Sequence, residues 1–409
     1  MKKFEIPQQY RSSIISKIKE QRKNEDPRKK DFTPTILDFG PIRFLIARHF
    51  GFCYGVENAI EIAYKTINEN PGKRIFLLSE MIHNPIVNSD LKNRGIRFIA
   101  DNYGKQLIEW DKIHSNDIVI IPAFGTTLEI EQILREKKID TISYNTTCPF
   151  VEKVWNRAEI LGSQNCTVII HGKSYHEETR ATFSRSIQNA HSVIVRDMNE
   201  AKFFSDVILG SATKMEFYAF FKDKHSAGFD VLTHLEKIGV VNQTTMLASE
   251  TQAIADLLRE TMIKKFGIEN IKEHFVDTRD TLCYATSDNQ SAAIALLNTQ
   301  ADIALVIGGY NSSNTSHLVE LLEQKIPTYF ISGPDKILSG SSVKHFDLRS
   351  HAEVENKNFI PLKEKVTIAV TSGASCPDSI VDEVINKVLN YFDNLKSVEE
   401  VLEEIKITN

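Results

Sequence analysis

Three cysteines, Cys53, Cys148 and Cys283, occupy one kind of local setting in this chain. Before Cys148, the β-branched residues of 138–143 predict a short strand. After it, Val151, Val154, Ala158 and Leu161 recur at three- and four-residue steps, predicting a helix with one buried face. Cys53 lies between the apolar run 42–47 and a helical pattern carried by Val56, Ala59, Ile60 and Ala63. Cys283 follows the strand-like run 271–276 and the turn 277–282, and precedes Ala292, Ala293, Ala295 and Leu296. A thiol between a strand's carboxyl end and a helix N-terminus sits where open α/β sheets bind ligands. The helix dipole there favours a thiolate, and Thr146 and Thr147 are candidate N-caps beside Cys148.

Repeated at domain-sized intervals, this unit predicts three related α/β lobes, each offering one thiolate to a shared centre. Structural zinc is usually closed by four ligands, often in CxxC pairs, and no CxxC occurs here. Soft thiolates from three remote loops suit an iron–sulfur cluster. A [4Fe–4S] cube held by three cysteines leaves one iron open as a Lewis acid. The spacing leaves two rivals standing: unrelated buried thiols, and a structural protein whose three cysteines hold zinc. Cys166 and Cys376 lack the strand–turn–helix setting and read as structural.

Other strand ends carry polar chemistry. His83, His171 and His176 each follow a strand-like run, and several runs end in loops of Gly, Ser, Thr, Asn and His. Such loops fit oxyanion binding by hydroxyls, imidazoles and backbone N–H groups. Glu177 and Glu178 are either a proton source or helix-start caps. Neither a P-loop nor a GxGxxG fingerprint is present, which disfavours a nucleotide enzyme.

The elements that must position these residues alternate strand and helix, which favours parallel sheets covered by helices. A chain of 409 residues predicts two or three domains. The predicted organisation is an N-terminal extension 1–41, a first lobe 42–147, a second lobe 148–282 with an insertion near 200–238, a third lobe 283–392, and a charged helical tail 393–409. The extension reads as a solvated arm with one helix; its acidic residues argue against a transit peptide. A net charge of −5 speaks against nucleic-acid binding. No apolar run is long enough for a membrane span, and no secretory signal is visible. Five dispersed cysteines predict a reducing, cytoplasmic setting.

Taken together, Gly51-Phe-Cys53-Tyr-Gly-Val, Ile82-His83-Asn-Pro, Thr147-Cys148-Pro-Phe-Val, His176-Glu-Glu178-Thr, Asn242-Gln-Thr244-Thr, Cys283-Tyr-Ala-Thr, Asn311-Ser-Ser-Asn314 and Ser372-Gly-Ala-Ser375 resemble the 4-hydroxy-3-methylbut-2-enyl diphosphate reductase family, IspH/LytB. The resemblance runs from about residue 43 to 390 with its motifs in order. It implies three α/β lobes around one [4Fe–4S] cluster per chain. It also implies reductive dehydroxylation of an allylic diphosphate to isopentenyl and dimethylallyl diphosphates, the last step of the non-mevalonate isoprenoid pathway.

Carried over by motif, the resemblance makes Cys53, Cys148 and Cys283 the cluster ligands. His83, His176, Ser312, Ser313, Asn314 and Ser375 become diphosphate-binding residues, Thr244 a neighbour of the substrate hydroxyl, and Glu178 the proton donor. One departure stands out. Many bacterial members carry Ala-His-Gly where this chain has Ala123-Phe124-Gly125. That Phe, the N-terminal extension and the Asn-Gln-Thr-Thr-Met-Leu run resemble the plant and cyanobacterial branch, which implies a ferredoxin rather than a flavodoxin as electron donor. The nearest enzymatic rival is a non-redox iron–sulfur dehydratase, which would need no reductant at each turnover.

Overall fold

The computed structural model describes residues 4–276 and 281–407. The turn predicted at 277–282 therefore lies mostly outside the described residues. The chain forms two compact units, one of residues 1–57, 83–89 and 284–409, the other of residues 58–82 and 90–283.

The first unit is built on a five-stranded sheet in the order Thr35–Asp38, Ile42–Ile46, Val366–Ser372, Ile303–Ile307, Thr328–Ile331. The first pair is antiparallel, and every other neighbouring pair is parallel. Ile303–Ile307 and Val366–Ser372 are buried along their whole length. That is why they read as continuous rather than alternating apolar runs. Three parallel neighbours thus send their carboxyl ends to one sheet edge, where the Cys53, Ser312 and Ser375 loops begin. A small antiparallel sheet, Ile337–Ser339, Ser342–Asp347 and Ala352–Lys357, belongs to the same unit.

Sequence order misplaces one strand here. Ile42–Ile46, expected to open the first lobe, pairs with Val366–Val370 and so shares a sheet with the strands of the third lobe. Parallel pairing needs no closeness in sequence, so no local signal marks this partner.

The second unit holds two parallel sheets. One has the order Arg97–Phe98, Ile75–Leu77, Ile118–Ile120, and the other Ser192–Val195, Thr167–His171, Ile238–Asn242, Phe275–Val276. The insertion near 200–238 supplies an aromatic core, with Phe204, Phe217, Phe221 and Phe229 buried together beneath Val193 and Val240. Two expected strands are different. Residues 138–143 form turns, because the Asp140 carboxylate accepts from the amides of Ile142 and Ser143 and diverts the chain. The run 271–276 opens as a helical turn, Ile271–His274, and only Phe275–Val276 pairs as a strand.

The N-terminal extension is packed rather than solvated. Its helix Ile14–Glu25 buries Ile14, Ile15 and Ile18, and its strand Thr35–Asp38 completes the five-stranded sheet. The N-cap residue Ser13 makes no side-chain cap bond, and the local cap is Ser12 Oγ, which accepts from the Ile15 amide (2.7 Å). A charged cap comes from Asp382, a buried residue of the distant helix Asp378–Leu389. Its carboxylate accepts from Ser12 Oγ (2.5 Å) and from the amides of Ser13 (2.9 Å), Ile14 (3.1 Å) and Ile15 (3.2 Å). An anion at a helix N-terminus is favoured by both the free N–H groups and the dipole. The C-terminal helix Val398–Ile407 buries Val401 and Leu402 and packs against the same strand and helix. Among the described residues, no helix is long and apolar enough to cross a membrane.

Asp382→Ala leaves three helix amides without their charged acceptor, and such bonds are worth roughly 1.5–3 kcal/mol. The expected outcome is a lower urea midpoint and faster proteolysis ahead of residue 35. An unchanged midpoint with a protected arm would show that the cap contributes nothing.

Candidate functional site

Each cysteine singled out above immediately precedes a helix: Tyr54–Glu69, Pro149–Ser163 and Tyr284–Leu297. Pro149 occupies the first helical position, so Cys148 itself is the N-cap residue. Thr146 and Thr147 are therefore not caps. Thr146 Oγ1 donates to the Ile121 carbonyl (2.6 Å), and Thr147 donates to Asn145 Oδ1 through both its amide (2.9 Å) and its hydroxyl (2.6 Å). The Cys148 amide donates to the Ala123 carbonyl (2.9 Å), tying the cysteine to the strand end that carries Phe124.

Helix-start amides do not by themselves make Cys148 a thiolate. Burial pushes its thiol up to about 11; the Phe150 and Val151 amides pull the other way, while Cys283 and Glu178 add repulsion. Cys283 and Glu178, both of the second unit, thus each lie within electrostatic reach of Cys148. Thiols are soft-metal donors, and metal binding deprotonates a coordinating thiol outright; among the described residues no three Cys, His, Asp or Glu side chains are grouped so as to hold an ion by themselves. Cys166 and Cys376 are buried, and burial pushes both thiols up, which agrees with a structural role.

Thr244 is the hinge of the second unit's part of the site. Its amide donates to Glu178 Oε1 (2.5 Å), and its hydroxyl donates to Glu178 Oε2 (2.9 Å). Its carbonyl accepts from the Cys283 amide (3.4 Å). Glu178 is 1% exposed. It stands in the first turn of helix Glu177–Ser186, whose N-cap is His176. The Glu178 amide donates to His176 Nδ1 (3.2 Å), so a neutral His176 carries its proton on Nε2 and presents it as a donor. Phe124 meets the His176 ring edge to face, with centroids 5.5 Å apart.

Motif residues to which the sequence assigned no role, together with Lys173 and Thr281 outside the motifs, hold this loop in place. Gln243 Oε1 accepts from Thr179 Oγ1 (3.0 Å) and the Lys173 amide (3.2 Å), and Gln243 Nε2 donates to Thr245 Oγ1 (2.8 Å). Thr281 Oγ1 donates to Asn242 Oδ1. His171 is fully buried in its strand and bonds Thr251 (3.0 Å), a structural placement.

In the first unit the loop after Val366–Ser372 plays the corresponding part. The Cys53 amide donates to the Ala374 carbonyl (3.2 Å), and the Ala374 amide donates to Asn314 Oδ1 (2.9 Å). Ser375 Oγ donates to the His83 carbonyl (3.1 Å). A Cβ on Gly309 would lie 2.2 Å from that same carbonyl, so only glycine lets the two loops approach this closely. Cys53, His83, Asn314 and Ser375 are thereby held in one network.

Ser312 caps helix Ser313–Leu322 by accepting from the Thr315 amide (3.3 Å), which leaves its own O–H to donate elsewhere. His83, Ser312, Ser313, Asn314 and Ser375 are all buried. Buried hydroxyls, an imidazole and helix-start amides of one ten-residue helix form an oxyanion-binding chemistry. Asn314 is partly spent on structure, since its amide also bonds Asn289 (3.4 Å) and Thr286 (3.5 Å). Asn289 and Tyr310, whose hydroxyl donates to Glu353 Oε1 (2.9 Å), carry no motif signal, whereas Thr286 closes the Cys283-Tyr-Ala-Thr motif, where the sequence assigned it no role.

Comparison with known proteins gives one answer. Residues 44–389 match the family model described as LytB protein. The chain is 39% identical over 387 residues to the 4-hydroxy-3-methylbut-2-enyl diphosphate reductase of Gloeobacter violaceus, covering 94% of this chain and 88% of that one. It is 40% identical over 398 residues to the same enzyme of Prochlorococcus marinus strain MIT 9515, covering 95% and 94%. In fold it is similar to the solved E-1-hydroxy-2-methyl-but-2-enyl-4-diphosphate reductase from Plasmodium falciparum. That match has a TM-score of 0.61 at 22% identity, over 90% of this chain and 99% of that one. The chain belongs to the LytB family, the 4-hydroxy-3-methylbut-2-enyl diphosphate reductases.

Proposed function

We propose that this chain reductively removes the hydroxyl of 4-hydroxy-3-methylbut-2-enyl diphosphate, yielding isopentenyl and dimethylallyl diphosphates in a reducing, cytoplasmic setting. The observation that carries the chemistry is the buried Glu178–Thr244 pair in electrostatic company with Cys148. Cys53, Cys148 and Cys283 would hold a [4Fe–4S] cluster. When bound, it supplies electrons one at a time and an open iron that polarises the substrate hydroxyl.

The chain's own residues do the rest. His83, Ser312, Ser313, Asn314, Ser375 and the Nε2–H of His176 hold the diphosphate, supported by their burial and by the oxyanion-binding chemistry of their side chains. Diphosphate binding fixes the allylic end so that little orientation entropy remains to be lost. Protonated Glu178 delivers its proton through the Thr244 hydroxyl. The C–O bond breaks and the hydroxyl leaves as water; two electrons and two protons balance the step. Phe124, edge-on to His176, replaces an imidazole with an apolar wall that keeps water from the His176 ring.

Anaerobically purified protein is expected to be brown, with iron and sulfide at about four each per chain. Cys148→Ser loses the visible absorbance and turnover together, whereas a colourless zinc protein would discard the reading altogether. Turnover without any reductant would point instead to a dehydratase.

Glu178→Gln keeps colour and substrate binding while kcat falls by about 10²–10⁴, the usual contribution of a positioned acid. Normal turnover in that variant would remove Glu178 from the proton path. Phe124→His keeps the cluster and lowers KM by supplying a further diphosphate donor. Loss of the cluster would show that position 124 supports the Cys148 loop instead.

A further inference from the structure

The loop that leads to Ser312 is short, and two consecutive residues pin it. It runs from the end of strand Ile303–Ile307 to the start of helix Ser313–Leu322 as Gly308-Gly-Tyr310-Asn-Ser312. Gly309 is pressed against the His83 carbonyl, with no room for a Cβ. Tyr310, the next residue, reaches into the small antiparallel sheet of residues 337–357. Its ring stacks on Phe346, with centroids 4.7 Å apart and planes 18° apart, and meets Phe330 edge to face at 5.1 Å. Its hydroxyl donates to Glu353 Oε1 (2.9 Å).

The carboxylate that accepts this bond is itself fixed. Lys336 Nζ lies 2.6 Å from Glu353 Oε1, and Lys344 Nζ lies 2.9 Å from Oε2. Lys336 closes the turn Pro334–Lys336, Lys344 stands on strand Ser342–Asp347, and Glu353 stands on strand Ala352–Lys357. Phe346 and Glu353 are directly opposite each other in the register of these two strands, so one cross-strand pair supplies both the stacking face and the acceptor for Tyr310. The hairpin is seated on the edge of the main sheet as well, where His345 meets Tyr329 edge to face at 5.1 Å. A lone exposed ion pair contributes little, but a network that also holds a partly buried ring fixes geometry.

We infer that Tyr310 and Glu353 are positioning residues for diphosphate binding: the hairpin clamps Tyr310 and so presets the Ser312 hydroxyl and the first amides of helix Ser313–Leu322. The inference rests on the reading of Ser312, Ser313 and Asn314 as diphosphate-binding residues. Two residues of chain span at most about 7 Å, and only Asn311 separates Ser312 from the clamped ring. A loop already held in its binding shape loses less freedom when the ligand arrives, which raises affinity without any new contact. The diphosphate is unchanged in the proposed reaction. Its hold is therefore the same in ground and transition states, and the clamp acts on KM rather than on kcat.

The test compares the full holoenzyme with Tyr310→Phe, which keeps the stacked ring and removes the hydroxyl, and with Glu353→Gln, which keeps the shape and removes the charge. KM and kcat are measured with a chemical reductant, and Kd for the allylic diphosphate is measured by calorimetry without one. Each variant is expected to raise KM and Kd about tenfold, the worth of one charge-assisted hydrogen bond. The kcat value and the visible absorbance stay unchanged. The double variant is no worse than either single one, because both remove the same contact. Unaltered KM and Kd in the two variants overturn the inference. So does a fall of kcat and absorbance in step with a lower urea midpoint, which would make the hairpin a folding element only. Ser312→Ala separates this inference from the reading beneath it. An unaltered Kd in that variant removes Ser312 from the diphosphate site, and the clamp with it; weaker binding there, beside unaltered Tyr310→Phe and Glu353→Gln, removes the clamp alone.

Discussion

A partly buried thiol within electrostatic reach of a second thiol and of a buried carboxylate is the constraint around which the second unit's part of the site is arranged. Burial disfavours an anionic Cys148, and Cys283 and Glu178 disfavour it further. Such a group is tolerated where protonation or a bound cation removes the charge and a rigid scaffold prevents its members from drifting apart. Thr244 supplies that rigidity, since one residue bonds the Glu178 carboxylate and the Cys283 backbone together. The Gln243 amide fixes Thr244's own loop to the neighbouring strand end.

The first unit solves a related problem with the same architecture. Three adjacent parallel strands deliver the loops of Cys53, Ser375 and Ser312 to one sheet edge. The backbone at Ala374 then links Cys53 to Asn314, and Ser375 grips His83 by its carbonyl. Parallel sheets suit this purpose because every strand ends on the same side, so polar loops remote in sequence converge without any of them crossing the core. The antiparallel sheet of 337–357 lies outside that logic. It steadies the loop from one flank, through Tyr310 stacked on Phe346 (4.7 Å) and bonded to Glu353. Lys336 and Lys344 hold the Glu353 carboxyl down to about 2.

The N-terminal arm shows how a peripheral segment enters a site. Asp382 anchors its helix, and Lys19 bridges that helix to the Cys53 loop.

Much of the chemistry was legible in the residues alone. The cysteine settings, the Ser and Asn loop of residues 311–314 and the order of the motifs point to the family that the family model and the relatives show. Strongly periodic helices such as Leu128–Glu136 and buried strands such as Ile303–Ile307 were equally plain, since 3.6-residue and continuous apolar patterns are local signals. Tertiary structure alone decided the rest. Residues 138–143 have strand-forming types, yet a single Asp140 side chain turns them. The extension looked solvated because its anchor, Asp382, lies more than 350 residues away. Ile42–Ile46 joined the C-terminal strands through backbone hydrogen bonds that any apolar sequence makes equally well. Chemistry is written in side-chain type, whereas pairing and capping partners are chosen by long-range packing, which leaves no mark on neighbouring residues.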